Sequence, residues 1–456
     1  MIQPLVVYGV GAYLLLNVAV GLWAGRRVSS GADFIVAGRR LPLWLATATL
    51  FATWFGGGTC IGAAGEAYDT GVLGVIADPF GAALCLFLAG WFFLRPLRRM
   101  GLLTIGDFFR ARFGARAERI AAILQIPPFV GWVAAQFVAF GTIGYALVGT
   151  NQTTGIVVGF VVVVLYTITG GMWAVSITDF LQAVVLIAGL VWLLPNALTD
   201  AGGWAAVSAA LPQGHLDVAP APTLHGWIWY VQAWLVIGLG SIPSQDLLQR
   251  AFSARNETVA AWSAYVAGGM YLTVGLIPVA LGLIARVVMP GLHDPELALP
   301  LLGREHLGTV GLAVFVGALL SAILSTADSA LLAPASVFSE NIVKPLRPEL
   351  SDAGLLRATR WSVAAFAVVA LLLALRFRDV YELMLGAMEA GLAGLAAPFA
   401  AGLYWKAVNE RAAVAAMVGG TGTWVALKAT QDAWPADLAG FAVSIALLVV
   451  LARRQR

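Results

Sequence analysis

Residues 52–59 read Ala52-Thr53-Trp54-Phe55-Gly56-Gly57-Gly58-Thr59, and residues 238–246 read Gly238-Leu239-Gly240-Ser241-Ile242-Pro243-Ser244-Gln245-Asp246. Each stretch lies inside a long apolar segment. Three consecutive glycines are very poor helix. Glycine with proline interrupts a helix as well, because proline lacks the N–H and clashes with the preceding turn. An interruption frees backbone donors and acceptors that hydrocarbon cannot satisfy, so it must line a polar cavity enclosed by protein. For Gly56–Gly58 taken alone, close packing of small residues between helices is the competing explanation.

The rest of the chain makes hydrocarbon the relevant solvent. Of its 456 residues 60% are hydrophobic and 11% charged, too little charge to cover a soluble protein of this size. Apolar runs such as 153–169 and 180–195 match the thickness of a bilayer. Hydropathy predicts an all-α membrane protein with about thirteen transmembrane helices. They fall near 3–25, 43–68, 71–95, 120–147, 153–170, 174–196, 227–250, 257–289, 308–341, 358–376, 380–404, 411–429 and 436–452. The first apolar run precedes its positive charges, Arg26 and Arg27, which marks a membrane helix rather than a cleaved leader. The net charge of +3 comes from arginines clustered between spans, which excludes nucleic acid as a partner. Four unclustered histidines, no HExxH and no GxSxG with partners speak against an enzyme. Cys60 and Cys85 sit in apolar segments and do not read as a disulfide.

Positive charge sets the orientation. Loops after odd-numbered spans carry Arg26, Arg27, Arg39 and Arg40, then Arg95, Arg98 and Arg99, then Arg250 and Arg255, Lys344 and Arg347, Lys406 and Arg411, and finally Arg453, Arg454 and Arg456. Loops after even-numbered spans are mainly acidic, with Asp69, Asp200, Asp294, Glu296 and Asp432, although Arg376 and Arg378 break the pattern. The N-terminus is thereby placed outside and the C-terminus in the cytoplasm, in a multi-pass protein of the cell membrane.

The two interruptions fall at corresponding places. Spans two to six and spans seven to eleven form two groups of five, and each broken helix is the first of its group. An odd group size inverts the second group relative to the first. Paired breaks in inverted halves point to a binding site near the midplane. The chain then divides into a first helix and loop (1–42), repeat one (43–200), an outer loop with repeat two (201–405) and two peripheral helices (406–456). In the ninth span, Ser321-Ala322-Ile323-Leu324-Ser325-Thr326-Ala327-Asp328-Ser329 puts Ala322, Ser325, Thr326 and Ser329 on one helix face. Oxygen ligands alone suit a hard cation. A single hydroxyl there could equally bond back to the preceding turn, whereas an intramembrane carboxylate such as Asp328 points to function.

With these segments, together with Tyr166 to Asp179 (YTITGGMWAVSITD) and Ile242 to Arg250 (IPSQDLLQR), the chain resembles the sodium/solute symporter family over nearly its whole length. Members of that family carry sugars, proline, pantothenate, sialic acid, iodide and choline. The nearest look is to the choline carriers, through ATWFGGG, GAAGEAY and STADS. The resemblance implies a leucine-transporter-type fold with a five-plus-five inverted core. It implies a sodium ion held by the carbonyls of Ala52, Phe55 and Ala322 and the hydroxyls of Ser325 and Thr326. A second sodium maps to Asp179, Asp328 and Ser329, with Asp328 standing where a hydroxyl is common. The solute pocket maps to Trp54, Gly56, Gly57, Thr59, Trp132, Ser244 and Glu389. Choline carriers surround a quaternary ammonium with aromatic rings, a cation–π device. Trp54 and Trp132 match two of those walls, while Ala82, Ser244 and Met384 stand at three others.

Intramembrane carboxylates need partners, and the basic residues within the spans look too few and too near the ends to serve them all. Glu66 and Asp78 read as hydrated near a vestibule, and Glu389 as deeper, facing the solute. The function expected is sodium-coupled symport of a small organic solute, amine-bearing, zwitterionic or cationic, by alternating access. Proton coupling through Asp179, Asp328 or Glu389 is the alternative within transport. A channel or membrane sensor is the alternative outside it. The sequence names neither the solute nor a protein partner.

Overall fold

The computed structural model describes residues 4–26, 28, 30–430 and 433–453, apart from the side chains of Tyr166, Thr169 and Arg453. Arg27, Asp432, Arg454 and Arg456, used above for orientation, lie outside the described residues. The helices that matter here are α1 (Pro4–Gly25), α2 (Leu43–Trp54), α3 (Ala63–Asp69), α4 (Ala82–Leu88), α5 (Ala115–Ile143), α6 (Gln152–Asp200), α7 (Leu224–Gly238), α8 (Gln245–Ser253), α9 (Glu257–Tyr271), α10 (Leu276–Val288), α11 (Thr309–Phe338), α12 (Asp352–Arg376), α13 (Val380–Ala390), α14 (Ala397–Tyr404), α15 (Glu410–Lys428) and α16 (Ala436–Arg453). Eight helical stretches among the described residues are long and apolar enough to cross a membrane. Shorter apolar helices lie at Leu43–Trp54, Gln152–Leu165 and Ala436–Ala452. Each segment read from hydropathy falls on a helix or on two helices flanking an interruption.

Helix α11 runs through the middle of the protein. Every residue from Phe315 to Val337 is buried, the polar ones included, so their partners must come from the protein itself. It packs against α6, α5 and α1. Helices α15 and α16 form a separate pair. Cys60 and Cys85 are both free and buried.

Both interruptions exist. Helix α2 ends at Trp54, and the chain bends through Phe55 and Gly56 before resuming as a wide turn over Gly58–Gly62 and then α3. Helix α7 ends at Gly238, and turns over 239–244 lead into α8. One helix supplies partners to both. The Gly57 N–H donates to Gln136 Oε1 at 2.8 Å. Gln125 donates through Nε2 to the Pro243 carbonyl at 2.8 Å and accepts from the Gln245 N–H at 3.1 Å. Gln125 and Gln136 both belong to α5. A buried polar group without a partner costs roughly 2–7 kcal/mol, so these two amides remove the main penalty of breaking helices at this depth.

None of Gly56, Gly57 and Gly58 has positive φ, so what they supply is room. A Cβ would lie 2.3 Å from Thr326 Oγ1 at Gly56, 2.7 Å from the Ala139 Cβ at Gly57 and 2.1 Å from the Met384 Sδ at Gly58. The competing explanation of these glycines therefore also holds: they form the break and let three neighbours approach it. Gly171 differs. Its φ of +53° splits α6 at the expected short link between spans five and six, and an added Cβ would sit 2.7 Å from the Phe34 carbonyl oxygen. Gly171→Ala should therefore lower stability by about 1–3 kcal/mol, read as a lower melting temperature of the detergent-solubilised protein. An unchanged melt would show that the backbone relaxes there without strain.

Candidate ion and solute site

Where α2 stops, α11 passes beside it. The Ser325 hydroxyl lies 2.8 Å from the Ala52 carbonyl, 3.0 Å from that of Ala322 and 2.9 Å from that of Ser321. A serine has one proton to donate, so three carbonyl oxygens crowd a single donor. Beside them Thr326 Oγ1 is buried without a hydrogen-bond partner, next to Gly56. Ala52, Ala322, Ser325 and Thr326 are thus brought together as an oxygen-only cluster, the donor set that a hard cation takes. Phe55 is the first residue past the helix end, and its ring packs against Phe51 and Tyr271.

A second polar cluster lies along the same helix. Thr49 donates to Asp179, Ser329 donates to Asp328 at 3.0 Å, and Thr53 and Ser329 pair at 3.2 Å. Arg250, read above as a cytoplasmic loop residue, is fully buried and donates to Ser329. It belongs to α8, whose nine residues are all buried because the preceding break tucks this short helix into the protein. Its positive charge lies beside Asp179, Asp246 and Asp328. The residues expected to hold a second sodium, Asp179, Asp328 and Ser329, are thus brought into one cluster, and the Arg250 guanidinium shares it with them. Arg250 is one basic residue that does lie deep, where the sequence reading placed the bases near the span ends.

A small pocket of about 30 Å³ lies beside the two breaks. Trp54, Trp132 and Ser244 line it, as the sequence reading anticipated, and Ala82 and Met384 stand at their expected walls. Asp78, Asp246 and Tyr271 also line it. Four residues expected at the solute, Thr59, Gly56, Gly57 and Glu389, lie outside this lining. Thr59 lies behind the wall and donates to Asp78 at 2.5 Å. Gly56 and Gly57 face α11 and α5 through the close approaches given above. Glu389 does not line the pocket. It accepts from Trp424 Nε1 at 2.9 Å and Lys428 at 3.0 Å, both on α15. The helix pair formed by α15 and α16 supplies a partner that sequence position alone does not reveal.

Asp78 is the reverse case. Read as hydrated near a vestibule, it is 3% exposed and in the pocket wall. Asp246, 1% exposed, stands within the IPSQDLLQR segment without having been singled out. Its position two residues past Ser244, on the helix that follows the break, is the signal that could have found it. Trp54 donates through Nε1 to Asp246 Oδ2 at 2.5 Å, which fixes the ring in the wall.

A fold in which two broken helices flank a central helix, with an oxygen cluster at one break and a pocket beside both, is a transporter architecture. Comparison with known proteins agrees. Residues 34–420 match the pattern of the "Sodium:solute symporter family". The chain belongs to the sodium:solute symporter family. It is 29% identical over 436 residues to the high affinity choline transporter 1 of Homo sapiens, an alignment covering 90% of this chain and 74% of that one. To the corresponding protein of Drosophila melanogaster it is 29% identical over 403 residues, 84% of this chain and 64% of the relative. The osmoregulated proline transporter of Bacillus subtilis (strain 168) is 27% identical over 441 residues, 92% and 87% of the two chains. Among solved structures, a Na+-coupled sialic acid symporter in a substrate-bound outward-open state superposes with a TM-score of 0.85 at 18% identity, covering 99% of this chain and 98% of that one. A nucleobase-cation-symport-1 family transporter in a closed conformation gives 0.65 at 18% identity, covering 94% and 95%. The fold is the leucine-transporter type. Membership fixes the class of activity: this is a multi-pass membrane symporter that couples a small solute to sodium by alternating access, and not an enzyme.

Glu389 and half-exposed Lys428 form a pair at the edge of the bundle, and exposed pairs contribute about 0–1 kcal/mol. Glu389→Gln should leave the solute affinity within about twofold of wild type and lower stability by no more than that pair energy. Uptake titrations in proteoliposomes measure the first, and thermal melts the second.

Proposed function

We propose that this symporter carries a small organic cation together with one sodium ion bound by Ala52, Phe55, Ala322, Ser325 and Thr326. The observation behind the ion site is the crowding of three carbonyl oxygens around the Ser325 hydroxyl, at the point where α2 breaks against α11. A cation there would relieve that crowding and give the buried Thr326 hydroxyl oxygen a partner. Because its ligands come from two separate helices, its binding would favour the arrangement in which α2 and α11 stay together. That is how an ion biases a conformational equilibrium: only through different affinities for the two states.

The charge of the solute follows from the walls. Two buried carboxylates and three aromatic rings line the pocket, and no basic side chain is among the lining residues. A carboxylate taken out of water is stable only with a compensating charge or proton. Asp246 has the Arg250 charge nearby; a cation is the solute that matches Asp78, and the rings of Trp54, Trp132 and Tyr271 add cation–π attraction. The solutes named for the relatives include choline and proline; the pocket chemistry favours the cation over the zwitterion. In this proposal the chain crosses the cell membrane about thirteen times, with the N-terminus outside, the C-terminus in the cytoplasm, and residues 43–200 and 201–405 as the two inverted halves.

The ion site can be tested through its hydroxyls. Loss of one oxygen ligand worth about 1–2 kcal/mol shifts a binding midpoint by about 5- to 30-fold. Ser325→Ala and Thr326→Ala should each raise the sodium concentration for half-maximal uptake in proteoliposomes by that factor. Uptake driven equally well by a pH gradient in sodium-free buffer would overturn the ion assignment.

A further inference from the structure

We propose that Asp78 and Asp246 select the solute for an N–H-bearing ammonium group, a primary or secondary amine, and select against a quaternary one. This rests on the reading of the solute as a small cation and makes it specific.

The two residues come from different elements. Asp78 precedes α4, and Asp246 lies in the first turn of α8, just past the second break. Each is more than nine-tenths buried and lines the pocket. Each has one oxygen engaged: Asp78 Oδ2 accepts from Thr59 Oγ1, and Asp246 Oδ2 accepts from Trp54 Nε1. Each has the other oxygen, Oδ1, buried without a hydrogen-bond partner. The partnered oxygens anchor the carboxylates to the broken segment of the first half, so their orientation is held by the wall rather than left to the solute.

An N–H-bearing ammonium supplies a positive charge and the hydrogen-bond donors that these oxygens lack. A quaternary ammonium supplies the charge alone and would leave both acceptors buried and unpaired. Sites built to hydrogen-bond a solute reject an analogue lacking the donor strongly, because their own polar groups are then stranded. The walls agree. Ala82, Ser244 and Met384 hold much of the wall that rings would need to fill to surround a quaternary group. Tyr271 restores one ring, which leaves an incomplete cage beside two carboxylates.

Ethanolamine, N-methylethanolamine, N,N-dimethylethanolamine and choline lose N–H groups stepwise while keeping the hydroxyl and the charge. Binding of each to the purified full-length protein in sodium is measured by titration calorimetry, with proline as a zwitterionic probe. Affinity should fall along the series, with ethanolamine at least about tenfold tighter than choline. Asp78→Asn and Asp246→Asn should each bring the ethanolamine-to-choline ratio close to one, while a sodium-dependent rise in melting temperature shows that the variants remain folded. The wild-type series stands without the variants if either fails to fold. Choline binding as tightly as ethanolamine, or a ratio unchanged in both variants, overturns the selectivity and leaves the cationic reading intact. Proline binding with none of the four amines bound overturns both, as does the absence of binding by any of the five.

Discussion

Hydrocarbon offers no hydrogen bonds, and that constraint shapes this protein. Two of its helices stop part-way along their course, and each break exposes peptide groups that must be satisfied by the protein itself. The partners come from one place. Gln136 takes the N–H of Gly57, and Gln125 holds the Pro243 carbonyl and the Gln245 N–H, both from α5. The two breaks are therefore tied to a common strut. With their backbones settled by amides, the side chains around them are free to form an oxygen cluster on one side and a pocket on the other.

Charge follows the same logic. Asp179, Asp246 and Asp328 are buried around one guanidinium, that of Arg250. Arg250 can sit there only because the break before α8 allows a short helix to lie wholly inside the protein. Asp78 lies in the pocket wall, where Thr59 holds one of its oxygens. The acids named here outnumber the buried base, and in our proposal the solute brings positive charge to the pocket side of this group. A site whose electrostatics are completed only by its cargo is a natural place for binding to shift conformation.

The similarity to solved symporters shows how little side-chain identity this fold requires. At 18% identity the chain superposes with a TM-score of 0.85. What persists is the course of the chain in space.

The sequence by itself determined the architecture. Long apolar segments are satisfied as membrane helices, and triple glycine in one and glycines with a proline in another, at corresponding places, point to interruptions, so the helices and both breaks were legible. The hydroxyls of Ser325 and Thr326 were legible too, since helical periodicity fixes which residues share a face. The tertiary structure decided the partners. Glu389 looked deep by its place in a span, yet α15 brings Trp424 and Lys428 against it. Asp78 looked exposed by its nearness to a span end, yet it lies in the pocket wall. Arg250 looked cytoplasmic, yet it reaches Ser329. Each of these depends on which helix lies alongside, and contacts between residues far apart in the chain leave no trace in local periodicity or hydropathy.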